Sequence, residues 1–421
     1  DGTHVVSGHA IMQPRIGIDV EVTSKSRYSQ LFAGLGGLDS YITASFDLYQ
    51  DVFNEGSFVG KGIYDLEVFD KVLYEAFPEN LILSHDLIEG NYLRSGFIND
   101  VELFDDYPSN YLNDALRHHR WNRGDWQIIS WLKRWVRNKK GEKVKNPINL
   151  ISKWKIFDNL RRSLVNPFLL LIIFYGFTVG EGSPFYYVSL VGLVILIPII
   201  FYVVSMILYR NKYDIFLKYY LNLIKGIIAV IHKSFISFAI LPYEAYLYVD
   251  SMVKALYRMF ISKKRLLNWV TAEELEKTVK NNLQTYLRSF KVNYISAILL
   301  IICCIIFKPY SLLLVLLIAF IWLIAPFVMY FYSKRLVIDD RELSGEEKND
   351  LHSIAIQTWK YFEDLITEER NYLVPDNYQL NREEKADHKT SPTNIGYSLL
   401  AVISAFELDI ITLNKAFTML K

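Results

Sequence analysis

Two short stretches carry residues whose types and spacing suit chemistry. In ILSHDLIEG the carboxylate Asp86 is flanked by His85 and Glu89, and an acid so placed can take a proton from a sugar hydroxyl. Further along, RHHRWNRGDWQ sets Arg117 and Arg120 one helical turn apart, so both guanidiniums can converge on one anion such as a diphosphate. Trp121 beside them offers a flat face to a sugar ring. Each residue also has a plainer reading. Asp86 can cap a helix beginning at Leu87, the arginines can form a solvated basic face, Trp126 and Gln127 can be packing residues, and His85 can be a hydrogen-bonded structural histidine.

Other clusters carry less. His118 and His119 are adjacent and point to different faces, which argues against both ligating one metal, and no Ser-His-Asp triad or metal-ligand spacing is found. The acids Asp100, Glu102, Asp105 and Asp106 read as a solvated loop before Tyr107 and Pro108. Gly34, Gly36 and Gly37 lack the spacing of a dinucleotide loop. Gly56, Gly60, Lys61 and Gly62 fall one residue short of a P-loop, so they read as a turn that lets backbone approach a substrate.

The elements that hold these residues belong to a chain of 421 residues, 52% hydrophobic and 15% aromatic, which is too long for one ordinary domain and too apolar for a purely soluble one. A net charge of +1 and the lack of a concentrated basic patch give no reason to expect nucleic acid. Cys303 and Cys304 are neighbours in an apolar run, which excludes a disulfide framework. The chain opens on DGTHVVSGHAIMQPR, without a start Met or signal peptide, and closes as a helical pattern is being set up, so both ends are expected to be cut from a longer protein.

Residues 1–145 mix β-like runs, such as Ile16 to Val22, with helical segments and glycine turns, as in the second half of an α/β domain, and end in a basic linker from Arg134 to Lys145. Four apolar stretches follow in two pairs within residues 146–335. They are Leu164 to Gly180 with Pro184 to Tyr209, and Val292 to Phe307 with Pro309 to Tyr332. A spanning helix needs about 20 apolar residues, and these runs have no polar face. The intervening 210–291 is rich in Lys and Arg, while TVGEGSP has none, which places the soluble parts on the cytoplasmic side. Within 210–291, LNLIKGIIAVIHKSFISFAILPYEAYLYVD reads as one or two helices lying in the interface, with a fifth span through Ile227 to Leu241 as the alternative. Residues 336–421 begin an acidic, helical soluble region.

The pattern R-x-x-R-W-x-R-G behind an isolated acid resembles the Q/R-x-x-R-W signature of processive glycosyltransferases related to cellulose and hyaluronan synthases, with Arg117 standing where those enzymes usually have Gln. QPRIGIDVEV, FAGLGGLDSYITASFDLYQDVFNEGSFVGKGIYD, SHDLIEGNYLRSG and RHHRWNRGDWQ, in that order, resemble the glycosyltransferase domain of cyclic β-1,2-glucan synthases, and LPYEAYLYVDSMVKALYRMFISKKRLLNWVTAEE matches the same family. TWKYFEDLITEERNYLVPDNYQ with HKTSPTNIGYSLLAVISA resembles the start of the glucoamylase-like α/α-barrel that follows the membrane part in that family and is associated with closing linear glucan into a ring.

The resemblance implies an α/β plus membrane α-helical chain: the C-terminal, acceptor half of a GT-A-like domain, two pairs of transmembrane helices, and the start of an α/α-barrel. It implies inverting transfer of glucose from UDP-glucose to the 2-hydroxyl of a growing β-1,2-glucan at the inner membrane. Asp86 would be the base, Arg117, Arg120 and Trp121 the substrate-binding residues, and Mg²⁺ or Mn²⁺ the ion on the leaving diphosphate. The competing readings are a β-glycan synthase that extrudes its polymer and a non-catalytic membrane scaffold joining two soluble domains. A transporter is disfavoured because the four apolar stretches lack charges.

The Asp-x-Asp motif that holds a nucleotide diphosphate is not found ahead of Asp86. The 421-residue chain by itself is therefore expected to bind donor poorly and to transfer no glucose from UDP-glucose, and measurable transfer in a radiolabel assay would contradict this.

Overall fold

The computed structural model describes residues 2–33, 47–82, 86–208, 216–268, 280–336 and 342–421. Gly34, Gly36, Gly37 and His85, weighed above, lie outside the described residues. The chain forms two compact units, Asp1–Leu336 and Val337–Lys421.

The first unit begins with a small sheet. β1 (Ile11–Ile18) pairs antiparallel with β2 (Ile63–Tyr64) and parallel with β3 (Ser95–Asp105). The β1–β3 register shifts between Pro14 and Arg15, where proline has no N–H to give the ladder. β1 stops at Ile18, earlier than the expected run to Val22, because the Asp19 side chain accepts from the Glu21 N–H and starts α1 (Val20–Ser24). α2 (Arg27–Phe32), α3 (Leu48–Phe53) and α4 (Leu66–Leu73) are short and are capped by Ser26, Asp47 and Asp65. α5 (Asp86–Leu93) leads into β3, and α6 (Tyr111–Gln127) begins at the cap Asn110. The acidic run is not a loop. Asp100, Glu102 and Asp105 lie on β3, and Arg15, Lys61 and Lys25 pair with Glu102, Asp105 and Asp106. The basic linker is also structured: β4 (Trp135–Arg137) and β5 (Lys143–Lys145) form a hairpin turning at Gly141, and Val136 is buried in the core with Trp131.

The helical part starts with α7 (Leu150–Gly176), one continuous helix that joins the charged flank to the first apolar stretch. The helix ends at Gly176 rather than Gly180, the N–H groups of Thr178 and Gly180 both turning back to Tyr175 O, and both glycines pack against Tyr187 where a Cβ would clash. Its apolar part is thus shorter than the roughly 20 residues a crossing needs, and α7 does not qualify as a span by length and composition. Among the described residues, Pro184–Val204, Leu223–Ser262 and Pro309–Tyr332 do qualify, and Leu283–Ser289 with Lys291–Phe307 qualify as a pair bent by 49°. These correspond to α8 (Pro184–Leu208), α9 (Phe216–Tyr257), α10 (Leu283–Ser289), α11 (Lys291–Phe307) and α12 (Leu312–Tyr332). α8 exposes Phe185, Leu193, Ile200 and Phe201, the surface expected against lipid.

The segment expected to lie in the interface is a single helix of 42 residues, α9. Its contacts say how it runs. Ser234 donates to Ile195 O of α8, Phe238 O accepts from Trp322 of α12, Ala239 O accepts from Asn293 of α11, and Glu244 accepts from Asn166 of α7. At about 1.5 Å per residue, those four contacts sit roughly 15–20 Å from the turn end of each helix. From Ser234 to Glu244, α9 thus packs against α8, α12, α11 and α7 in turn, and it is long and apolar enough to cross a membrane. Glu244, which lies outside the four apolar stretches, is the ionisable group by which α9 meets α7.

The second unit contains α13 (Gly345–Leu365), α14 (Pro392–Glu407) and α15 (Leu413–Leu420) around Trp359, Val402, Ala405, Ile411 and Ala416. A capping box of Ser344 and Glu347 starts α13.

Both turns of the helical part lie at one end. Lys308 donates to Gly180 O at 3.0 Å and Gly182 O at 3.3 Å, and Tyr310 donates to Gly182 O at 3.2 Å. In a background of Cys303→Ser and Cys304→Ala, a membrane-impermeant maleimide should label Glu181→Cys and Tyr310→Cys from the same side of sealed vesicles. Labelling of the two from opposite sides would overturn this arrangement.

Candidate active site

Asp86 is the first residue of α5, not a cap ahead of it. It faces the turn that the glycine spacing singled out. Gly60 has φ +90°, a conformation that suits glycine, and a Cβ built there would stand 2.9 Å from the carboxyl carbon of Asp86. The backbone of Ser57–Gly60 thus lies directly against the acid.

That turn is anchored from below. Lys155 of α7, only 4% exposed, donates to Gly56 O at 2.8 Å and Glu55 Oε1 at 3.2 Å, and its ammonium lies 5.0 Å from the centre of the Tyr49 ring. Glu55, equally buried, also accepts from Asn149 at 3.0 Å and Ser152 at 3.3 Å. A buried ammonium is tolerated because each neighbour answers its charge or its N–H groups. Gln13 Oε1 accepts from the Val59 N–H and Gly56 donates to Ser95 O, which ties the same turn to the sheet.

α6 brings the second motif to the same place. It is a polar helix, and polar side chains fix it to its neighbours. His119 pairs with Asp250 at 2.8 Å, Asn122 donates to Tyr248 O at 3.2 Å, Gln127 donates to Leu266 O at 3.0 Å, and Trp126 donates to Ser163 at 3.1 Å. Trp126 and Gln127 are therefore packing residues. Arg117 donates to Asp114 at 2.7 Å and lies between the Tyr107 and Trp121 rings, 4.8 and 4.7 Å from their centres. Its charge is engaged by Asp114 and its flat face props Trp121. Trp121 remains 37% exposed, and His118 meets its edge. Arg120 lies within electrostatic reach of Asp86, which supports its charge against burial and against Arg117.

Asp86 and Trp121 line one cavity of about 500 Å³, with Ser57, Phe58, Val59 and Leu87 on the α/β side and Lys155, Asp158 and Asn159 on α7. Arg117 and Arg120 stand behind this lining rather than in it.

The carboxyl groups here are not ordinary. Burial, and then the charge of Asp86, push Glu89 up to about 7, against a hydrogen bond with Tyr64 that pulls it down. Burial, followed by the charges of Glu89 and Asp86, pushes Tyr64 up to about 12. Burial also lifts Asp125 to about 6, opposed by Asn159 and Arg162. His118 and His119 are both lowered, mainly by burial, so each is neutral near pH 7. Among the described residues no group of three His, Cys, Asp or Glu side chains is placed to hold a metal ion.

The structure brings Asp86 and Trp121 of the two motifs to one cavity, and reasoning from sequence overlooked Gly60 as the neighbour of the acid and Lys155 as the anchor of its turn. The polar set Lys155, Asp158, Asn159 and Arg162, spaced to share one face of a helix, was the available signal.

The chain is 32% identical over 425 residues to the cyclic beta-(1,2)-glucan synthase NdvB of Rhizobium meliloti (strain 1021), an alignment covering 99% of the chain and 14% of that relative. The chain thus spans a small part of the length of the curated relative it matches. No family model matches it.

Glu89 sets a pH dependence. The unfolded chain ionises this group near 4.5, whereas the fold keeps it protonated to about 7. Stability should fall as pH rises between those values and level off above them. Glu89→Gln, neutral throughout, should gain in thermal midpoint over the native chain as pH goes from 4.5 to 8, and a constant difference across that range would contradict the assignment.

Proposed function

The chain is a relative of the cyclic β-(1,2)-glucan synthases, and on that premise we propose that it carries the acceptor side of an inverting glucosyltransferase site facing the cytoplasm. The observation that supports this reading is the shared cavity of Asp86 and Trp121. The growing β-1,2-glucan presents its terminal ring to the Trp121 face. Its 2-hydroxyl gives a proton to Asp86 as the oxygen attacks the anomeric carbon of the glucose of UDP-glucose, and UDP leaves from the opposite side of that carbon. Glu89, one turn along α5 and raised to about 7, stays protonated below that pH and there keeps a second charge away from the acid. Arg117 holds the indole, and Arg120 supplies positive charge near Asp86.

A Mg²⁺ or Mn²⁺ ion would neutralise the leaving diphosphate. Among the described residues no group of His, Cys, Asp or Glu is placed to hold it, and no step above passes through it. The lipid bilayer holds the helices, and ring closure by the relative's downstream barrel, of which residues 336–421 are the start, completes the proposed role.

In a full-length protein carrying this segment, Asp86→Asn should lower transfer by roughly 10²–10⁴-fold, the usual share of a general base, with membrane insertion intact. Linkage analysis of the native product should give β-1,2 bonds. Transfer retained in the Asn form would remove Asp86 from the mechanism, and β-1,3 or β-1,4 product would overturn the assignment.

A further inference from the structure

Below Trp121 the cavity continues between two helices that offer each other the same pattern. α6 contributes His118, Trp121, Asn122 and Asp125, and α7 contributes Lys155, Asp158, Asn159 and Arg162. Each set follows the spacing i, i+3, i+4, i+7, which places its members on one helix face. A gap between packed helices is normally filled with apolar side chains. Here it is lined by amides, acids and bases, with Ser163 and Tyr248 completing the lining.

Protein partners fix these groups in place. Asn159 donates to Asp125 at 2.9 Å, Arg162 donates to Asn159, and Arg162 pairs with Asp158 at 3.2 Å. Asn122 is 3% exposed, and its Nδ2 donates to Tyr248 O and Ser251 Oγ, yet its Oδ1 has no hydrogen-bond partner. A buried acceptor left unpaired is costly and rare, and one that lines a cavity is answered when a ligand hydroxyl enters. The charges of the lining also select. Two cations, Lys155 and Arg162, face three carboxylates, Asp86, Asp125 and Asp158, which disfavours a phosphate and suits a neutral polyol.

We propose that the space between α6 and α7 is a second sugar subsite, in which the penultimate glucosyl residue of the acceptor donates a hydroxyl to Asn122 Oδ1 while its other hydroxyls meet Asp125, Asn159 and Arg162. This rests on the reading of Trp121 as the seat of the terminal ring and deepens it. The terminal sugar is held by stacking, the next by hydrogen bonds, and a cavity of about 500 Å³ has room for both. Because stacking tolerates many rings and a fixed set of hydrogen-bonding groups does not, the second subsite sets which acceptor is accepted.

The test uses the 421-residue chain in lipid nanodiscs, with dissociation constants read by saturation-transfer NMR for methyl β-glucoside, the β-1,2-linked glucose disaccharide and UDP. The native chain should bind the disaccharide at least tenfold more tightly than the monosaccharide. In Asp125→Asn and in Asn159→Leu, both close in volume to the originals and checked for an intact thermal transition, that ratio should collapse toward one. Trp121→Ala should weaken both sugars together. A ratio of one in the native chain, or a ratio untouched in both variants, overturns the second subsite while leaving the first. Tighter binding of UDP that is lost in the same two variants overturns it in favour of a nucleotide. Sugars that fail to bind at all, with Trp121→Ala silent, overturn the underlying reading as well.

Discussion

Helix α6 has too little apolar surface to be held by burial alone, so its position depends on polar side chains that find partners on α7 and α9. His119 with Asp250, Asn122 with Tyr248 and Ser251, and Trp126 with Ser163 are the links, and all four partners are on α7 and α9. The acid comes from the other side, on α5, and the turn that backs it is tied to α7 through Lys155. The site is therefore assembled at the seam between a small α/β layer and a helical bundle, and α7 reaches both halves. A change in α7 would move the acid and the indole together, because α7 holds the turn behind one and the helix bearing the other.

Electrostatics at the seam follow from the same geometry. Three carboxylates and two cations line one cavity, and the acids are kept apart in behaviour by what surrounds them. Glu89 stays protonated to about 7 because it is buried beside Asp86, and Asp125 rises to about 6 because it is buried. His118 and His119, which the doublet made conspicuous, are held neutral by burial and serve to brace Trp121 and α9. The arginines divide similarly. Arg117 is engaged by Asp114 and two rings, and Arg120 remains the nearer charge to Asp86.

Much of this was legible in the sequence where the signal was local. The apolar runs of α8, α11 and α12 and the grouping of Asp86 with the R-x-x-R-W helix depend on neighbours a few residues apart or on a motif. What was missed depended on partners far along the chain. The acidic run on β3 looked like a loop because Arg15, Lys25 and Lys61 are distant in sequence. The basic linker hid a hairpin because only Val136 and Val144 of its residues turn inward. From its composition α9 reads first as interfacial helices, whereas it forms one helix long and apolar enough to cross a membrane, meeting Ile195, Asn293 and Trp322 of its neighbours. Lys155 was overlooked because a lysine on a helix is usually solvated at its tip.

The central claim is that Asp86 and Trp121 act on one sugar in one pocket. Cryo-EM of the chain in a nanodisc, soaked with a β-1,2-linked glucose trisaccharide, tests it most directly. The account predicts density for a ring stacked on the Trp121 indole, with a hydroxyl within hydrogen-bond distance of the Asp86 carboxylate. Sugar density away from this cavity, or a ring on Trp121 with Asp86 turned out of reach, would contradict it.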